Sequence, residues 1–142
     1  MSTIENEPRR PKYQELLAAY ERARECYERD PSQRSLAVLE TSLAILVREL
    51  QRPGKFDLGQ MVMTPGADLA MRTARQVPLE FLLRHKYGDR GELPPEDVRE
   101  NEWSLQNGAR LFSAYRTRTD EKLWVITEWD RSVTTLLLSE EY

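Results

Sequence analysis

The side chains best suited to chemistry gather in the last third of this sequence. Three runs there read as strands, at residues 109–116, 122–129 and 132–138, and Arg110, Ser113, Tyr115, Arg116, Thr127, Glu128, Asp130 and Arg131 are set among them. Arg110, Tyr115 and Arg116 on one strand, with Thr127 and Glu128 on the next, could bind an anion or hold a scissile phosphate. His85 is the sole histidine, and an imidazole titrating near neutral pH is the natural general acid or base.

Together these groups match what a small metal-independent ribonuclease of the barnase/RelE type needs: a base, an acid, and a cation for the pentavalent phosphate. His85, Arg110, Tyr115, Arg116 and Glu128 would be its catalytic set. Strand alternation works against a single site, because Arg110 and Arg116 share one parity while Ser113 and Tyr115 have the other. The competing reading is structural. Cross-strand ion pairs and Thr–Thr contacts contribute a few tenths of a kcal/mol to about 1 kcal/mol each. His85, flanked by Arg84 and Lys86, would then be a surface residue at a helix C-terminus. Without catalysis, Arg110, Tyr115, Arg116, Thr127, Glu128, Asp130 and Arg131 form a candidate binding surface.

Other chemistries find no residues. One Cys (Cys26) and one His leave only carboxylates for a metal. The acidic groups Glu128, Asp130, Glu140, Glu141 and Asp89, Glu92, Glu96, Asp97 lack calcium-loop spacing. There is no phosphate-binding glycine loop, nucleophile elbow or internal repeat, so no metal or cofactor is expected. Residues 1–54 carry nine basic and nine acidic side chains, and residues 55–142 carry twelve and fifteen. Binding of nucleic acid through phosphate neutralisation is therefore not favoured. Seventeen of the 21 basic residues are Arg, which suits bidentate recognition of carboxylate or phosphate. No apolar run reaches the roughly 18–20 residues of a membrane span. The N-terminus lacks the apolar core of a signal peptide, so the expected location is the cytoplasm.

The elements that must position these groups follow from local signals. Residues 1–10 are polar and expected to be loose. Pro11 is expected to open a helix to Arg29 with Tyr13, Leu16, Leu17, Tyr20, Ala23 and Tyr27 as its stripe. Asp30-Pro31-Ser32-Gln33 reads as the next start, with Asp30 as N-cap, and Leu36, Leu39, Leu43, Leu46, Val47 and Leu50 share one side up to Pro53-Gly54. Residues 11–54 are thus an antiparallel helical hairpin, large enough to need a partner surface and a route to a homodimer. Residues 55–63 read as a strand with a bulge or close approach at Gly59. Short helices follow from Thr64-Pro65, from Pro78 to a stop at Gly88, and from Pro94-Pro95 to a cap at Gly108. A two-residue turn at Asp130-Arg131 would face Thr127 with Thr134. Both faces of that sheet are apolar enough to need cover: the short helices on one side, the hairpin or a partner on the other. Trp103, Trp124 and Trp129 read as core or interface anchors.

Four segments read together carry a resemblance. They are Leu58-Gly59-Gln60 with Met63-Thr64-Pro65-Gly66-Ala67; Phe81-Leu82-Leu83-Arg84-His85 with Gly88-Asp89; Asn101 and Gly108 with Arg110-Leu111-Phe112-Ser113-Ala114-Tyr115; and Leu123-Trp124-Val125-Ile126-Thr127-Glu128 with Asp130-Arg131-Ser132-Val133-Thr134-Thr135. Over about residues 56–142 the chain resembles small bacterial "plasmid-related" proteins of mobile elements, loosely labelled type I restriction subunits. It is too short for a methyltransferase and has no cofactor motif. Where relatives tend to have Gly-Asp-Trp-Gly, this chain has Gly88-Asp89-Arg90-Gly91. The resemblance implies a genomic habitat and no catalytic role.

The expected fold is α+β: a small four-stranded, mainly antiparallel sheet with short helices in residues 55–142, preceded by the hairpin. The expected function is that of a non-enzymatic accessory protein of a mobile element, binding a host defence component or a regulator, with the ribonuclease as the alternative.

Overall fold

Serine, not aspartate, starts the second helix. In the computed structural model, which describes residues 11–142, α1 spans Tyr13–Arg29 and α2 spans Gln33–Leu50. Ser32 Oγ accepts from Ser35 N at 3.0 Å and Ser35 Oγ accepts from Ser32 N at 2.9 Å. This reciprocal box satisfies two otherwise orphaned donors, so the cap expected at Asp30 moves to Ser32. Asp30 instead gives its carbonyl to Ser35 Oγ at 2.9 Å. At the other start, the first helical bonds go to the Lys12 carbonyl, and Pro11 lies just outside. The expected loose segment 1–10 falls outside the described residues.

The chain forms two compact units, one ending at Glu49 and one from Leu50 to Tyr142. In the first, α1 and α2 pack together. Tyr20, Ala23, Arg24, Ser35 and Leu46 are buried, and Leu39 and Leu43 half-buried. The inward Leu39, Leu43 and Leu46 follow four- and three-residue steps. Leu36 and Val47, expected on the same side, are exposed along with Val38 and Ile45.

The second unit is a four-stranded mixed sheet with helices. Its elements are β1 (Gln60–Met63), α3 (Pro65–Thr73), α4 (Pro78–Lys86), α5 (Pro95–Asn107), β2 (Leu111–Arg116), β3 (Lys122–Thr127) and β4 (Val133–Leu138). Strand order is β1-β4-β3-β2, antiparallel except for the parallel β1–β4 pair. The fold is α+β, with no helix among the described residues long and apolar enough to cross a membrane. Thr127 faces Thr134 as the pattern requires. The turn between them is longer than two residues: Arg131 N donates to Glu128 O at 2.9 Å and Glu128 N to Val133 O at 3.0 Å, leaving Trp129, Asp130, Arg131 and Ser132 in the loop. Asp130 Oδ1 accepts from both Ser132 N and Ser132 Oγ. That local competition for backbone donors is why the turn is wide.

Alternation divides the sheet cleanly. The inner face carries Leu111, Ser113, Tyr115, Leu123, Val125, Thr127, Thr134 and Leu136, each at most 2 % exposed. Met71 of α3 and Phe81 and Leu82 of α4 pack on it. Phe56 and Leu58 add a second cluster with Leu111 and Leu105. The free edge of β2 is also closed. Asn101 Oδ1 accepts from Phe112 N at 2.7 Å, Ala114 N donates to Arg90 O and Glu92 N to Ala114 O. Covering an edge in this way removes a template for unwanted strand pairing.

β1 is shorter than the sequence suggests, because the segment before Gly59 is not strand. Gly59 has φ +65°, and a Cβ there would lie 2.3 Å from the Ser132 carbonyl oxygen. The close approach lets Gln60 N reach that same oxygen at 2.9 Å and start the parallel ladder. Gly108, also at φ +67°, has open space around it. Gly59→Ala should therefore cost about 3 kcal/mol or more, from left-handed strain plus overpacking, whereas Gly108→Ala should cost about 1 kcal/mol. Urea unfolding midpoints of the two variants measure the contrast, and equal losses would contradict it.

Candidate functional site

The inner face holds a polar thread where only apolar side chains would be expected. Thr134 Oγ1 donates to the Leu58 carbonyl at 2.6 Å, spending its one proton. Its contact with Thr127 Oγ1 at 2.8 Å must then run from Thr127 to Thr134. Thr127 has now spent its proton too, so the 2.9 Å contact with His85 Nε2 must be donated by the imidazole. The Nε2–H tautomer follows from this proton count. Nδ1 is left as acceptor, receiving Ser113 Oγ–H at 2.6 Å and lying 3.2 Å from Arg90 Nη1. One direction of donation thus runs Ser113, His85, Thr127, Thr134, Leu58. It joins β2, α4, β3, β4 and the segment before β1.

His85 is completely buried, with Phe56 edge-on at 5.5 Å between ring centroids. Burial first, and then the positive charges of Arg90 and Arg131, push its pKa from 6.5 down to about 3. It is neutral at physiological pH and holds its donor and acceptor in fixed partners. The expected surface position at a helix end is therefore corrected: α4 does end at Lys86, but its last turn faces the sheet. An imidazole this acidic, with both nitrogens engaged, is badly placed for general acid catalysis at neutral pH.

The remaining candidates separate. Tyr115 is buried and donates to the Asp89 carbonyl at 2.6 Å, and burial pushes its phenol well above the ordinary range. Arg84 stacks 4.3 Å over that ring and pairs with Asp89 at 2.7 Å. Arg116 pairs with Glu92 at 3.0 Å and Asp120 at 2.9 Å. Arg131 donates to the carbonyls of Ala109, Glu128 and Ser104. It ties the β3–β4 turn to the end of α5. Asp130 organises the turn. Only Arg110 and Glu128 stay together near an open surface, paired at 3.3 Å on the outer face. His85 and Ser113 lie on the inner face, Arg110 and Arg116 on the outer one. The ribonuclease constellation of His85, Glu128 and a sheet arginine does not assemble.

What the outer face does assemble is aromatic. Phe112 and Trp124 meet edge to face at 4.8 Å, and Tyr142 closes on Trp124 at 5.4 Å. Arg110 donates to Tyr142 Oη at 3.2 Å. With Ile126 these side chains line an open recess of about 250 Å³. The C-terminal residues are held in place. Thr64 Oγ1 and Leu138 N both donate to Glu141 Oε1, at 2.6 and 2.9 Å, and these bonds lower its pKa. Of the residues lining this recess, the strand pattern offered Arg110 as a candidate and Trp124 as an anchor, and it passed over Phe112, Ile126 and Tyr142. The signal available was an aromatic at even spacing from Trp124's cross-strand neighbour. Among the described residues no cluster of three His, Cys, Asp or Glu could hold a metal. Compared with protein-family models, curated proteins and solved structures, the chain matches none.

The depressed pKa fixes a pH dependence. The folded state keeps His85 neutral down to about pH 3, while the unfolded chain takes up a proton near 6.5. Stability is thus fully present above pH 6.5 and falls as pH drops below it, by up to roughly 1.4 kcal/mol per pH unit for this group. Between pH 5 and 6.5 few carboxylates titrate, so His85→Gln should flatten the slope of unfolding free energy there by about one proton. An unchanged slope would show that His85 is not buried neutral. In the same assay Thr134→Val should cost about 2–4 kcal/mol by stranding the Leu58 carbonyl and the Thr127 hydroxyl.

Proposed function

We propose that this chain is a non-enzymatic accessory protein of a mobile genetic element. It acts in the cytoplasm by holding another protein, a host defence component or regulator, against the outer face of its sheet. The observation that carries this reading is the aromatic recess of Phe112, Trp124, Ile126 and Tyr142, rimmed by the Arg110–Glu128 pair. Aromatic and arginine side chains are the residues that dominate protein–protein binding energy, particularly where a rim excludes water around them. A net charge of −3 supports a protein rather than a nucleic acid as partner. The engaged, neutral His85 and the split between inner and outer polar groups argue against turnover.

The test is capture by the tagged full chain from nuclease-treated host lysate, compared across variants. Trp124→Ala should weaken recovery of the partner at least about thirtyfold, as a central aromatic anchor does. Arg110→Glu, which sets a second carboxylate beside Glu128 at an exposed position, should weaken it with only a small loss of melting temperature. Trp103→Ala, on the exposed side of α5, should leave recovery intact. Recovery insensitive to both Trp124→Ala and Arg110→Glu, or abolished by nuclease, would sink the proposal.

A further inference from the structure

Arg90 is a buried cation with no carboxylate in contact. The residue is 5 % exposed, and every hydrogen bond it makes leaves from Nη1: to His85 O at 3.2 Å, His85 Nδ1 at 3.2 Å and Ser113 Oγ at 3.3 Å. Its Nε and Nη2 have no protein acceptor, yet neither is sealed from solvent as a buried orphan would be. Nε and Nη2 form the edge of the guanidinium that matches a carboxylate or phosphate with two parallel hydrogen bonds. Arg90 also lines a cavity of about 200 Å³ with Lys55, Phe56, Tyr87, Glu102 and Leu105. Of its other cations, Lys86 is committed to the Leu50 and Arg52 carbonyls at 3.0 and 2.5 Å. Lys55 is exposed and makes no hydrogen bond or ion pair among the described residues.

We infer that this cavity is a binding site for a small oxyanion-bearing molecule, a carboxylate or phosphate monoester, gripped by the free edge of Arg90. The site is distinct from the outer-face recess and does not depend on it. A buried charge lacking a partner is costly, and the only relief inside the cavity is Glu102, which attracts Arg90 without reaching ion-pair distance. A bound oxyanion would supply the missing partner. At about 200 Å³ the cavity is sized for a small molecule rather than a macromolecule. Phe56 and Leu105 give the non-ionic part an apolar wall, and Lys55 at the mouth attracts the anion.

The experiment is a titration of the full chain with sodium benzoate and with phenyl phosphate, followed by amide chemical shifts, with sodium chloride as the ionic-strength control. The expected result is saturable shifts at residues 54–56, 87–91 and 102–105. Arg90→Gln should weaken binding at least about tenfold, the value of a charge-assisted bond. Glu102→Gln should tighten it severalfold by removing a competing carboxylate, and Lys55→Glu should weaken it. These last two change exposed side chains, so they decide the matter even where Arg90→Gln unfolds. Tighter binding of benzoate assigns the site to carboxylates, and of phenyl phosphate to phosphate esters. Shifts that do not saturate in wild type and Glu102→Gln, or that ignore all three substitutions, would overturn the inference.

Discussion

The unit from Leu50 onward depends on a directed line of hydrogen bonds through its centre. Each link contributes only about 0.5–1.5 kcal/mol net. Their importance lies in the cost of breaking one, because every member is buried and has no water to turn to. The line begins at a hydroxyl on β2 and ends on a backbone carbonyl before β1, passing through α4, β3 and β4. A slip of one residue in any strand would turn Ser113, Thr127 or Thr134 to the opposite face and strand its neighbours. The relay also sets register against two-residue slips, which would keep a uniformly apolar inner face of Leu and Val inward but would part these hydroxyls from their partners. Being one-way, it also fixes the tautomer of His85 and so the position of the last turn of α4.

A second constraint hangs on the first. Arg90 Nη1 touches His85 and Ser113, and the backbone on either side of it, Arg90 O and Glu92 N, pairs with Ala114 on the edge of β2. The loop is tied down further by Asp89, whose carbonyl accepts from Tyr115 and whose carboxylate accepts from Arg84 and Gly91 N. Burial alone would raise that carboxyl, but these hydrogen bonds outweigh it and hold its pKa below the ordinary range. The loop between α4 and α5 thus acts as a short cover for the sheet edge, and the buried guanidinium is its anchor.

Much of the architecture was legible because it rests on local rules. Thr64-Pro65 caps α3, with Ala67 N donating to Thr64 Oγ1 at 3.1 Å, and Pro78 and Pro95 start their helices as proline at the first position should. The strand runs and the Thr127–Thr134 register followed from period-two alternation. What failed was decided by competition or by tertiary contact. Ser32 and Asp30 are both good caps, and the reciprocal partner at Ser35 settled the choice. The strand around Gly59 shortened because Phe56 and Leu58 were recruited into a separate cluster. His85 carries no sequence mark of burial, since Arg84 and Lys86 beside it read as surface. Their charges are satisfied instead by Asp89 and by the carbonyls of Leu50 and Arg52.

Alternation also explains why polar residues that looked like one site became two environments. Ser113, Tyr115 and Thr127 turn inward, where hydroxyls must pair with fixed protein partners and are used up in doing so. Arg110 and Glu128 turn outward, where an ion pair is worth little to stability but remains free to exchange its partner for another. Chemistry needing a proton donor and a phosphate-binding cation at one point would have to cross the sheet to bring these sets together. Recognition needs no such crossing. Phe112, Trp124, Ile126 and Tyr142 already share the outer surface with Arg110, held flat by a sheet whose opposite face is locked by the relay. The rigidity produced by the inner polar thread thus fixes the relative positions of the outer aromatics. Such pre-organisation would lower the entropic cost of the binding proposed for this face, because its anchors would need little ordering.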